Sequence, residues 1–100
     1  MIYCFDVDGT ICDECCDFGY EYAQPIQEMV DEINRLYDEG HTIKIFTARG
    51  QATGIDYEQF TKEQLDEWGV KYHEYHKKPS GDFYVDDKAW TPEAFLRRTK

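Results

Sequence analysis

Positive charge is what this sequence has least of: 11 Lys and Arg stand against 21 Asp and Glu, a formal net charge of −10. Surfaces that bind nucleic acid or anionic membranes rely on clustered Lys and Arg, so neither partner is expected. Long apolar runs are missing too. No stretch approaches the roughly 20 residues of a membrane-spanning helix, and Asp6 interrupts the first apolar run where a signal peptide would need it to continue. The cytoplasm is therefore the expected location. Cysteine offers no disulfide framework, because Cys12, Cys15 and Cys16 crowd one segment and Cys4 lies in the opening apolar run. Half a zinc knuckle could be read into that cluster, but Asp13, Glu14 and Asp17 disfavour a thiolate and no second cysteine pair completes a tetrad. Repeats, low-complexity segments and linkers are absent.

What is present is enough apolar material for one core. With 100 residues, 41% hydrophobic and 16% aromatic, residues 1–100 are expected to form a single domain. Residues 1–5 read as a buried strand. Residues 11–22 have no clean period and suit a flap. Pro25 is placed to open a helix whose stripe is Ile26, Met29, Val30, Ile33 and Tyr37, stopped by Gly40. Residues 42–46 are a second strand. A third amphipathic stretch reaches Trp68, starting at either Asp56 or Thr61, each followed three residues on by Gln. Residues 70–75 alternate as a strand, residues 83–85 read as a last buried strand, and Thr91-Pro92-Glu93 opens a terminal helix. Strand, helix and strand in that order make a βαβ unit, whose parallel strands end on one rim.

The chain is organised around Asp6-Val7-Asp8-Gly9-Thr10. Side chains two apart on a strand share a face, so Asp6 and Asp8 are expected to converge. Two acids at the mouth of a buried strand need a cation or hydrogen-bond donors, and a hard, oxygen-seeking ion such as Mg2+ suits them. An acidic turn capping a strand is the plainer reading. A calcium loop is not supported, since its glycine falls at the fourth place from Asp6 rather than the sixth. Carboxylates recur at Asp86-Asp87, a hydroxyl ends the second strand at Thr47, and Lys78 precedes the last strand. Each alone could be structural; together they suit a phosphoryl group.

This set, in this order, resembles the haloacid dehalogenase superfamily of phosphohydrolases, with Asp6-Val7-Asp8-Gly9-Thr10, Thr47, Lys78-Pro79 and Asp86-Asp87 as its four motifs. Residues 43–50, Trp68-Gly69-Val70 and residues 84–89 look like the small capsule-biosynthesis phosphatases of that group. The resemblance implies an α/β fold, a minimal Rossmann-like three-layer sandwich on a mostly parallel sheet of three to four strands. It implies a Mg2+-dependent phosphomonoesterase in which Asp6 attacks phosphorus and Asp8 serves as acid and base. Asp6, the Asp8 carbonyl and Asp87 or Asp86 would hold the metal, with Lys78 and Thr47 on the phosphoryl oxygens. Arg49 either meets an anionic part of the substrate or pairs with a surface acid. The implied partner is a small phosphate ester, a phosphorylated sugar or polysaccharide precursor. Two alternatives stay open: a phosphatase of nucleotides or polynucleotide ends, and a non-catalytic phosphate-binding module.

Two departures from the resemblance stand out. Neither cap slot holds a domain, so specificity is expected from the flap, a homo-oligomeric neighbour or a large substrate. Only seven residues separate Lys78 from Asp86, whereas a parallel crossover takes about a dozen or more. The third strand, or the route from it, is therefore in question.

Overall fold

The computed structural model describes residues 1–14 and 19–98. Along them run β1 (Ile2–Asp6), a short 3-10 turn (Tyr20–Tyr22), α1 (Gln27–Asp38), β2 (Thr42–Thr47), α2 (Glu58–Glu67), β3 (Glu74–Lys77) and α3 (Pro92–Arg97). The strands form one parallel sheet in the order β1-β2-β3. Each parallel step is bridged by a helix, the minimal Rossmann-like arrangement. No helix among the described residues is long and apolar enough to cross a membrane.

Alternation along β2 buries Ile43, Ile45 and Thr47, and the register sets Tyr3 beside Ile43 and Phe5 beside Ile45. Helix α1 adds Met29, Val30, Ile33 and Leu36 to that core. Tyr37, expected in the stripe, is half-buried and stacks on His73 at 4.6 Å. The helix also starts later than Pro25. That proline bridges to Cys12, and the Ile26 amide donates to the Ile11 carbonyl at 2.7 Å, so the chain stays extended one residue further and Ile26 becomes the N-cap.

The second half of the sheet departs from the sequence reading in two places. The third strand lies at Glu74–Lys77, later than residues 70–75, and the buried Val70 belongs to the connection from α2. The fourth strand expected at residues 83–85 is not formed: Phe83 is 90% and Val85 100% exposed. Five residues, 78–82, separate the end of β3 from Phe83, well short of the dozen or so a parallel crossover takes. Among the described residues the sheet therefore has three strands, and residues 79–91 run over the surface.

The terminal helix follows its sequence signals. Thr91 caps it by accepting from the Ala94 amide at 3.2 Å, and Pro92 takes its first turn. Phe95 packs edge-on against Phe5 at 5.3 Å and Tyr3 at 6.0 Å. Arg98 then ties the end of α3 to Glu32 of α1 at 3.0 Å, while Arg35 donates to the same carboxylate. The Arg35 hydrogen bond, with that of Arg98 behind it, holds the Glu32 carboxyl below its ordinary value. A depressed carboxylate contributes stability above its unfolded pKa and loses it as pH falls through the folded one. Glu32→Gln is accordingly expected to cost about 1 kcal/mol at pH 7, with the gap to wild type closing below about pH 4, read from thermal melts at the two pH values.

Candidate active site

Because the strands are parallel, β1 ends at Asp6, β2 at Thr47 and β3 at Lys77, all on one rim. Thr47 pairs with Lys77 in register, and the Thr47 carbonyl accepts from the Lys78 amide at 2.9 Å, which brings Lys78 onto that rim. Its ammonium reaches the Asp6 Oδ2 at 3.2 Å. The other Asp6 oxygen accepts from the Val7 amide at 2.8 Å. Burial pushes the Asp6 carboxyl above the usual aspartate value, while Lys78 and the Val7 amide pull it back and the Asp8 charge adds to the rise. Desolvation is the larger influence, so this is a carboxylate held close to its cation at a net cost.

Beyond Asp6 the chain turns sharply. Gly9 takes a φ of +80°, a left-handed conformation that glycine adopts without strain, and the amides of residues 10–12 converge on the Val7 carbonyl. Asp8 sits in this turn. Its carboxylate is gripped on both oxygens by Arg49, Nη2 to Oδ1 at 2.8 Å and Nε to Oδ2 at 3.0 Å. Arg49 follows β2 by two residues, and its amide donates to the Thr47 hydroxyl at 3.2 Å. Gly50 closes the loop at a φ of +82°, where an added Cβ would meet the Ile55 carbonyl oxygen at 1.8 Å.

The structure thus brings Asp6, Lys78, Thr47, Asp8 and Arg49 to one rim. It settles Lys78 rather than Lys77 as the lysine at Asp6, since Lys77 is exposed. The Arg49 side chain is fully buried, and among the described residues it pairs with the Asp8 carboxylate. Asp86 and Asp87 lie on the exposed residues 79–91, where Asp86 accepts from the Lys88 amide. Among the described residues no three His, Cys, Asp or Glu gather into a metal-ligand group. Cys15, Cys16 and Asp17 lie outside the described residues.

Several neighbours of the site were not legible as such. Thr61 and Gln64 read as a capping box, but α2 starts at Glu58, and both side chains turn inward onto Arg49. Two polar residues three apart on the inward face of an amphipathic helix were the available signal, because buried polar groups require partners. Tyr84, read as part of a strand, covers Lys78, its ring centroid 3.7 Å from the ammonium and its hydroxyl donating to the Pro79 carbonyl. The histidines are structural or peripheral: His73 Nδ1 accepts from the Ile43 amide, and His76 pairs with Glu74.

No family model matches the sequence, and no curated protein matches it. Solved structures do. A target protein from Vibrio cholerae is 27% identical with a TM-score of 0.86, over 96% of this chain and 87% of that one. The structure of a Pnkp1/Rnl/Hen1 complex is similar at a TM-score of 0.62 and 18% identity, over 99% of this chain and 34% of that one. A D,D-heptose 1.7-bisphosphate phosphatase from B. bronchiseptica, complexed with magnesium and phosphate, is similar at a TM-score of 0.59 and 19% identity. The likeness covers 90% of this chain and 54% of the phosphatase. At these identities the last two establish a shared fold.

Proposed function

We propose that this chain is a phosphomonoesterase that works through an aspartyl-phosphate on Asp6. The observation that carries the reading is the pairing of a nucleophile-grade carboxylate with its own cation on the strand-end rim, Asp6 with Lys78 at 3.2 Å, and a second carboxylate one residue beyond Val7. A carboxylate attacking a phosphate dianion is opposed by repulsion, and a fixed ammonium offsets it in the transition state, where charge gathers on the phosphoryl oxygens. Asp6 forms the bond to phosphorus as the bond to the leaving oxygen breaks. Asp8 supplies that oxygen's proton, then takes one from the water that displaces phosphate from Asp6. Thr47, on the same rim, is the proposed second contact of the phosphoryl group.

A Mg2+ requirement belongs to this proposal on the strength of the heptose bisphosphate phosphatase, which was crystallised with the metal. Asp6 and the Asp8 carbonyl are its proposed ligands, with Asp87 or Asp86 as third donor. Asp86 and Asp87 are exposed, and among the described residues no third acidic side chain is gathered with Asp6 and Asp8. The proposed substrate is a small phosphorylated sugar or polysaccharide precursor, in keeping with the phosphatase that shares the fold and with a net charge of −10 that disfavours long nucleic acid. The test is phosphate release from a panel of sugar phosphates and nucleotides, with and without Mg2+. Turnover of at least one sugar phosphate, lost on chelation, is expected; a panel left intact in both conditions would remove the phosphatase reading.

A further inference from the structure

Arg49 is fully buried beside the rim and engaged on every side by described residues. Besides gripping Asp8 on both oxygens, it donates from Nη1 to Gln64 Oε1 at 2.8 Å and Thr61 Oγ1 at 3.3 Å, and from Nη2 to Cys12 Sγ at 3.8 Å. The Tyr20 ring lies over the guanidinium at 4.4 Å. Gln64 in turn donates to the Tyr20 carbonyl at 2.8 Å, so the short turn beside the site and helix α2 lock the guanidinium from two sides. The planar fork is held in one plane, and a fork so held leaves the Asp8 carboxylate one orientation. Cys12 adds a third contact to that carboxylate at 3.5 Å.

We infer that Arg49 is a positioning residue that holds the Asp8 carboxylate aimed as the base for the second half of the reaction. The inference rests on the phosphatase reading. In that half-reaction the water oxygen bonds to phosphorus, the bond from phosphorus to Asp6 breaks, Asp8 takes the water proton, and phosphate leaves with Asp6 restored. The step needs a correctly aimed carboxylate. The first half-reaction with an aryl phosphate does not, because p-nitrophenolate leaves without a proton. Loss of the fork therefore separates the two halves, whereas a purely structural role would slow both together or lower the fraction of active protein.

The experiment is rapid mixing of the intact chain with p-nitrophenyl phosphate. Wild type is expected to release p-nitrophenol linearly. Arg49→Lys keeps a charge but cannot bridge both oxygens, and is expected to show a burst approaching one p-nitrophenol per enzyme, followed by turnover about 100-fold slower than wild type, with acid-quenched phosphoenzyme accumulating. Gln64→Met removes one support of the fork and leaves Asp8 its partner; it is expected to show the same burst with a drop of about 5-fold, and it carries the test should Arg49→Lys fail to fold. Folded variants that turn over linearly, without a burst or accumulated phosphoenzyme, would overturn the positioning role while leaving the phosphatase reading intact. A wild-type protein inert toward every phosphate ester would overturn both.

Discussion

Asp6→Asn is expected to abolish phosphate release, by on the order of 10⁴-fold or more, while the protein melts no lower than wild type at neutral pH. The amide has the size of the carboxylate, and its single oxygen can still accept from Lys78 while its NH2 takes the place of the oxygen at the Val7 amide, so the rim keeps its shape with one hydrogen bond fewer. What is lost is an oxygen nucleophilic enough to bond phosphorus. The stability half of the expectation follows from the direction of the Asp6 pKa. Its folded value is raised, chiefly by burial. A carboxyl raised on folding favours the folded state below its unfolded pKa, and that contribution is lost as pH rises through the folded value. At neutral pH the ionised wild-type side chain therefore carries a desolvation cost that asparagine does not, and the difference between variant and wild type should shrink toward pH 4. Phosphate assays beside melts at two pH values check both halves. Undiminished turnover would remove Asp6 as the nucleophile, and a variant that melts lower at neutral pH would show Lys78 outweighing burial.

How much of this arrangement could be read from the sequence varies by element. The Asp6–Thr10 turn, the α1 stripe and the Thr91-Pro92 start of α3 were legible because each depends on local chemistry: a strand run cut by carboxylates, a helical period, a capping hydroxyl before proline. The slip of β3 toward Lys77 was not, since residues 70–75 alternate as well as residues 74–77 do and the choice is made by pairing with β2. The missing fourth strand had its warning in the short connection after Lys78, although Phe83, Tyr84 and Val85 have strand composition. Composition alone cannot supply chain length for a crossover. The buried environment of Arg49 was hidden for a different reason: Cys12, Tyr20, Thr61 and Gln64 come from three separate segments, and only the tertiary fold puts them around one guanidinium.

Lys78→Ala is the second substitution with a large expected effect, a loss of about 10²- to 10³-fold in kcat, against a change within about 2-fold for Lys77→Ala. The two lysines are adjacent in sequence and opposite in circumstance. Lys77 ends β3 with an exposed side chain, whereas Lys78 is drawn in by the Thr47 carbonyl, placed 3.2 Å from Asp6, and covered by Tyr84 with Phe46 at 4.8 Å from its ammonium. Two ring faces around an ammonium stabilise it while keeping water off, which strengthens its field at Asp6. That field works twice. It lowers the cost of holding Asp6 ionised in a half-buried place, and it opposes the repulsion between Asp6 and an incoming phosphate dianion. Loss of the second contribution should appear in kcat, because the charge on the phosphoryl oxygens peaks in the transition state. Steady-state rates of the two alanine variants on one phosphate ester decide the matter. Equal losses would mean that proximity to Asp6 is not what selects the phosphate lysine, and a loss in KM alone would make Lys78 a substrate tether rather than a stabiliser of the reacting group.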